Sequence, residues 1–301
     1  MWQHIAECSN FYMHEQLDDR VDAYLKKKEQ KEQKVKAAVR AASTTKTKTR
    51  RDVRQDFLSA KPIIPHELCV YIGLMLARAI MPNREKLANH WHQDDVGAIS
   101  RGFFRRFMVR DRLMELSRNL HFNSNSDPRA RTDRAWKIRS VVNVLQRTFV
   151  AAFIPLAEFS FDEAMLPSRS TYNRTQMYMK DKPHKWGTKL FMLCCARSAY
   201  CIRFEVYCCQ KQHIAESGAV DMKSGPAAVV RNLRAVFGGI TPGKYMRLVV
   251  VDRFYTSIVL AVQLLLMGFF TIGTIMTNRR GFCKAVVTKK KKMPKDTPAA
   301  R

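Results

Sequence analysis

The sequence predicts an α/β core with a mixed sheet, preceded by an all-α, arginine-rich subdomain. Three observations carry that expectation. Between Pro62 and Pro155 apolar residues recur at helical spacing, whereas beyond Pro155 short alternating or continuous apolar runs take over. One helical run, 227–237, lies between two of those strand-like runs, and strands alternating with helices pack as layers about a sheet. A length of 301 residues with 46% hydrophobic side chains fills one large or two modest cores, which excludes wholesale disorder.

Residues 20–56 are polar and Ala/Lys/Gln-rich, which reads as a solvated helix to about Ala42 and then a Ser/Thr/Lys linker. Residues 1–60 are therefore expected to be a basic N-terminal segment and linker. Pro62 and Pro65 open a helix that places Leu68, Ile72, Met75, Leu76 and Ala79 on one face, and Pro82 closes it. A second helix is predicted near 109–121, with Leu113, Leu116 and Leu120 together and Arg110, Arg112 and Arg118 on its other faces. A third, near 136–150, aligns Ile138, Val141, Val142, Leu145 and Phe149 ahead of Pro155. The span 61–155 is thus expected to be a helical DNA-binding or dimerisation subdomain.

The span 156–301 is expected to form the core. EFSFDEA alternates around Phe159 and Phe161, LFMLCCA at 190–196 is a short apolar run, CIRFEVYCC at 201–209 alternates, and RLVVVD at 247–252 is a buried-strand pattern. AAVVRNLRAVF at 227–237 is helical and ends at Gly238-Gly239. Ile258 to Met276 carries no charge and by length alone would span a membrane. Gly268 divides it into a helix-like and a β-branched half, so a buried helix followed by a central strand is expected, and no membrane. The competing membrane-surface reading would require detergent for extraction.

The chain has 53 Lys+Arg against 26 Asp+Glu, a net charge of +27, and +16 of it falls within 161–301. Such an excess favours a polyanionic partner, nucleic acid first. Eight cysteines without paired spacing and no signal-like start at Met1 predict a reducing compartment. Basic runs at 26–28, 46–51 and 289–292 suit nuclear import, so a nuclear location is expected. Cys194, Cys195, Cys201, Cys208, Cys209 and His213 lack zinc-ligand spacing and read as small strand residues; no zinc is expected. Trp91, between His90 and His92, reads as a core anchor ahead of a base-stacking side chain.

Asp162 lies within the first strand of the core and Asp252 ends RLVVVD. A carboxylate among Phe or Val side chains must be hydrogen-bonded, paired with a cation, or holding a metal. Strand ends face the crevice where ligands bind in open sheets, and Mg²⁺ or Mn²⁺ with oxygen ligands can drive phosphodiester displacement. Metal-dependent chemistry on nucleic acid is one reading; helix capping, or pairing with Arg253 or Lys189, is the other.

FSFDEAMLPSRS at 159–170, YMKDKPHKWGTKLFMLC at 178–194 and VVVDRFYTSIVLAVQLL at 249–265, preceded by HFN at 121–123 and KIRSVVNVL, resemble the piggyBac-type DNA transposases and their domesticated relatives over roughly 61–287. The resemblance implies a ribonuclease-H-like core in which three aspartates bind two divalent ions, Mg²⁺ or Mn²⁺. By motif, Asp162 matches the first aspartate and Asp252 the second. It implies DNA as partner, with nicking at transposon ends and joining at TTAA targets, and it allows a homodimer. Arg169, Lys180, Lys182, Lys185, Lys189 and Arg253 are the residues expected to contact DNA; Lys180 stands where the family commonly has Pro. The family's third aspartate has no match, since the only acidic residue after Asp252 is Asp296 in a Lys/Pro tail, and the Cys/His-rich zinc domain is also unmatched. The expected chain is an incomplete core, truncated before the third aspartate, with strand cleavage lost or impaired. The alternative is a domesticated, non-catalytic DNA-binding protein.

Overall fold

The computed structural model describes residues 1–38, 48–80, 86–92, 102–208, 225–238, 245–283 and 285. Pro82, Cys209, His213, Gly239, the 289–292 run and Asp296 lie outside them. The chain forms two compact units: Met1–Thr132 with Trp136–Val141, and Asp133–Ala135 with the chain from Val142 onward.

The first unit is helical. Helices α1 (Trp2–Glu15), α2 (Leu17–Ala38), α3 (Arg50–Leu58), α4 (Pro65–Ile80), α5 (Arg110–Asn119) and the start of α6 (Trp136–Ala151) follow one another along the chain. Ile5 and Ala6 of α1 share a core with Leu68 and Leu74 of α4, with Leu113 and Leu116 of α5, and with Phe104. Helix α1 is therefore part of this unit's core. Helix α1 escaped the periodicity reading because its buried face uses small residues, Ala6, Cys8 and Ser9, beside Ile5 and Met13. Ser9 is accommodated there by donating its hydroxyl to the Ile5 carbonyl at 2.7 Å.

Helix α3 occupies what reads as linker. Thr49 and Asp52 form a reciprocal capping box, the Thr49 hydroxyl accepting from the Asp52 amide and the Asp52 carboxylate from the Thr49 amide at 2.8 Å. Two of its arginines pair with α2, Arg50 to Asp22 at 3.2 Å and Arg54 to Asp18 at 3.5 Å. Arg112 of α5 is likewise a structural group. Its five donors reach Glu67 (2.7 and 3.0 Å), Glu115 (2.8 Å) and the carbonyls of Lys61 and Pro62 (2.8 Å each), which uses the whole guanidinium.

Among the described residues the second unit contains a six-stranded mixed sheet: β1 (Glu158–Pro167), β2 (Gln176–Tyr178), β3 (Trp186–Cys195), β4 (Cys201–Val206), β5 (Arg247–Val251) and β6 (Phe269–Ile272). The order is β2-β3-β1-β5-β6, with β4 also paired to β3. β1, β3 and β4 form an antiparallel meander; β5 runs parallel to β1, and β6 parallel to β5. Helix α7 (Gly225–Phe237) precedes β5, and α8 (Ile258–Leu266) connects β5 to β6. Phe159, Phe161, Phe191, Leu193, Val249, Val251 and Phe269 pack with Ala228, Val229 and Leu233 of α7 and with Leu260 and Leu264 of α8. On β5 and β6 the residues of opposite parity, Val250, Phe270 and Ile272, are exposed. The apolar run 258–276 holds a short helix and a strand separated by Gly268 at φ 81°, a left-handed position that suits glycine after a helix, but the helix exposes Val259, Val262, Leu265 and Leu266, and among the described residues β6 ends the strand order and is not the central strand expected. Among the described residues no helix is long and apolar enough to cross a membrane.

Candidate functional site

The site starts from strand register. β1 and β5 are parallel neighbours, and their last paired residues are Phe161 and Val251. The next residue on each strand is an aspartate, so Asp162 and Asp252 come to adjoining positions on strands spaced about 4.8 Å apart. Both are exposed, not buried among Phe and Val as the runs around them suggest. Alternation explains this for Asp162: Phe159 and Phe161 take the core face, which turns Asp162 to the other. Its Oδ1 accepts the Glu163 amide at 2.8 Å. Asp252 opens a tight turn in which its carbonyl accepts the amides of Tyr255 (3.0 Å) and Thr256 (3.1 Å) and the Thr256 hydroxyl (2.9 Å).

Glu163 follows Phe161 onto the core face and anchors a polar cluster that sequence reasoning missed. The fully buried Tyr255 donates its hydroxyl to Glu163 at 2.5 Å, with Lys182 Nζ at 3.7 Å and Lys189 Nζ at 3.9 Å. Burial first, then the bond to Glu163 and the charges of Glu163, Asp162 and Asp252, hold the Tyr255 hydroxyl well above its ordinary pKa. Lys189 is pushed down by burial, which the charge of Glu163 opposes. Its ammonium lies 5.0 Å from the Phe191 ring and 5.2 Å from that of Phe254. The signal available in sequence was the parity of the Asp-Glu pair, which sends adjacent carboxylates to opposite faces.

This geometry divides the expected DNA contacts. Lys189 is buried and cannot belong to a solvent-facing surface, a correction that follows from its parity with Phe191 and Leu193 on β3. Lys182 is half-buried and committed to Glu163. Arg169, Lys180, Lys185 and Arg253 are exposed. Three of these four lie on the connection from β1 to β3, which is tied down by Thr175 to Thr188 at 2.9 Å, Gln176 to the Ser168 carbonyl at 2.7 Å, and the Met179 amide to the Lys185 carbonyl at 2.7 Å. The same connection exposes Tyr172 (94%), and Tyr178 packs on Trp186 at 5.1 Å with both rings about half exposed. Gly187 is fixed by close approach: a Cβ there would lie 2.2 Å from the Leu166 carbonyl oxygen.

For a hard divalent ion, Asp162 and Asp252 offer two carboxylates of suitable chemistry. Among the described residues no group of three His, Cys, Asp or Glu side chains is placed to hold a metal, and Glu163, the neighbouring carboxylate, is engaged on the opposite face. The other motif residues have structural work. Asn123 of HFN donates to the Trp136 and Lys137 carbonyls at 2.6 and 3.0 Å, and its Oδ1 lies 3.2 Å from His4 Nε2. The Trp91 indole donates to the Met108 carbonyl at 2.8 Å and meets Phe104 edge-on, so it is a core anchor.

The described residues thus form a helical unit and an α/β unit whose mixed sheet carries two aspartates at adjoining strand ends. A solved piggyBac transposase, determined by cryo-electron microscopy as a synaptic complex with hairpin DNA, shares the fold with a TM-score of 0.68 at 18% identity. The match covers 97% of this chain and 52% of that one, so the chain spans about half the length of the solved transposase. The family model described as Transposase IS4 matches residues 1–301, and the chain belongs to that family.

Proposed function

We propose that this chain is a transposase-derived core on a ribonuclease-H-like sheet that binds DNA and has lost, or retains only weakly, the family's strand cleavage and transfer at TTAA. The ribonuclease-H-like assignment is supported by the strand order: an antiparallel meander of β1, β3 and β4, then β5 and β6 added parallel to β1 on its other side. The observation that carries the reading is the adjoining placement of Asp162 and Asp252. These two residues would hold Mg²⁺ or Mn²⁺, which when bound supplies an activated water and neutralises charge on a phosphodiester. The chain's own part is to present the two carboxylates outward and to keep Glu163 away from them through Tyr255, Lys182 and Lys189.

DNA contact is assigned to Arg169, Lys180, Lys185 and Arg253, with Tyr172, Tyr178 and Trp186 as stacking partners. Cations interleaved with exposed aromatic rings suit a strand whose backbone and bases are both reachable. DNA in the complex of the related transposase supports the same partner. A homodimer and a nuclear location complete the reading, the latter supported by the exposed Lys26 and Lys27 of α2.

The test incubates the full chain with Mg²⁺ or Mn²⁺ and a duplex carrying a TTAA end. Retained duplex binding without nicking, unchanged in Asp252→Ala, is the expected result. Clean nicking abolished by Asp252→Ala would establish an active enzyme, and absence of DNA binding near physiological salt would overturn the reading.

A further inference from the structure

Two of the cysteines that show no ligand spacing in sequence are brought together by the β3–β4 hairpin. Cys194 and Cys201 are cross-strand partners, placed just beyond a register shift between Leu193 and Cys194. The Cys195 amide donates to the Tyr200 carbonyl at 2.9 Å and closes the hairpin immediately beside them. Ala199, with φ 58°, lies in the turn. Directly opposed residues on antiparallel strands have Cα atoms about 4.5–5.5 Å apart, within the span a disulfide bridges. Both thiols are free and half-buried.

The facing thiols shift one another: the neighbouring Cys201 brings the Cys194 thiol down to about 7 against the opposing effect of burial, while Cys201 is pushed up by Cys194 and by its own burial. One sulfur is thereby the better nucleophile at neutral pH, and the other stands beside it as the resolving thiol.

We propose that Cys194 and Cys201 form a dithiol–disulfide site that reacts with low-molecular-weight disulfides. The Cys194 thiolate attacks one sulfur of the reagent, forming a mixed disulfide and expelling the other half as a thiolate. Cys201 then releases its proton and attacks the Cys194 sulfur, forming the Cys194–Cys201 bond and expelling the second half. The protein thiols lose two electrons and two protons, and the reagent disulfide becomes two thiols. The bond would staple β4 to β3 on the sheet face that carries Ser160, the β1 partner of Cys194, and Asp162 two residues beyond it. It stands independently of the proposed function.

Oxidised glutathione added to the full chain at neutral pH, followed by peptide mapping without reduction, tests it. The expected product is a Cys194–Cys201 cross-link lacking two hydrogens, with Cys201→Ser arrested as glutathione on Cys194. A cross-link mapping to another pair of cysteines overturns the proposal. So does finding both thiols free once the exposed Cys69 and Cys283 have been modified; this readout on the unaltered chain needs no variant to fold.

Discussion

At the residue scale, charge in this protein divides between groups spent inside the fold and groups left exposed to solvent. Arg112, Lys182 and Lys189 belong to the first kind, Arg169, Lys180, Lys185 and Arg253 to the second, and residue type does not distinguish them. Glu205, one of the few acidic residues of the basic half, meets Arg231 at 2.7 Å and Asn232 at 3.1 Å. His121 shows how a partly buried titratable group couples to folding. It stacks on Tyr12 at 3.6 Å, and its backbone amide donates to the Ser9 hydroxyl at 3.0 Å, which ties it to α1. Burial first, and the charge of Lys137 second, hold its pKa below the ordinary value. A depressed histidine pKa favours the folded state above the unfolded pKa of about 6.5, and that contribution is lost as pH falls through the folded pKa. Urea midpoints for the wild type and His121→Phe, which keeps the stack and cannot ionise, are expected to diverge below about pH 6.5, the wild type losing more. Parallel pH profiles would refute this.

At the element scale, the motif around Lys182–Lys189 serves sheet construction as much as recognition. Its glycine lets β3 run close beside β1, where a Cβ at Gly187 would fall 2.2 Å from the Leu166 carbonyl oxygen and 2.7 Å from Met165 Sδ. A backbone carbonyl cannot swing aside as a side-chain end can, so Gly187→Ala is expected to destabilise by about 1–3 kcal/mol, read as a lowered thermal midpoint. An unchanged midpoint would contradict the approach of the two strands. Elements with large apolar residues at regular spacing were legible in sequence: α4, α5, α6, α7, β1, β3, β4 and β5. Those packed through small or polar groups were not. Helix α1 buries Ala6, Cys8 and Ser9, α3 begins from a capping box inside a basic stretch, and β2 is three residues long.

At the scale of the whole molecule, a net charge of +27 means that the proposed DNA binding is expected to weaken as salt rises. Each phosphate contact contributes about 0.9 to the slope of log K against log salt concentration on duplex DNA. Lys185→Ala is expected to lower that slope by about one contact. Lys189→Met should leave the slope unchanged in whatever fraction folds, because the Lys189 ammonium faces Glu163 and two aromatic rings. Equal loss of slope in both variants would place Lys189 on the binding surface and contradict the division of charge drawn here.

The sequence by itself determined the basic character, the helical and sheet-forming regions, the family resemblance, and the two aspartates by motif, because period, composition and motif are local properties of the chain. Only the tertiary structure decided that Asp162 adjoins Asp252 while Glu163 turns away, that Lys189 is buried, and that Cys194 meets Cys201. Each depends on strand register and on which face of the sheet is covered. Both are set by pairing between segments distant in sequence, where a shift of one residue exchanges every side chain between core and solvent.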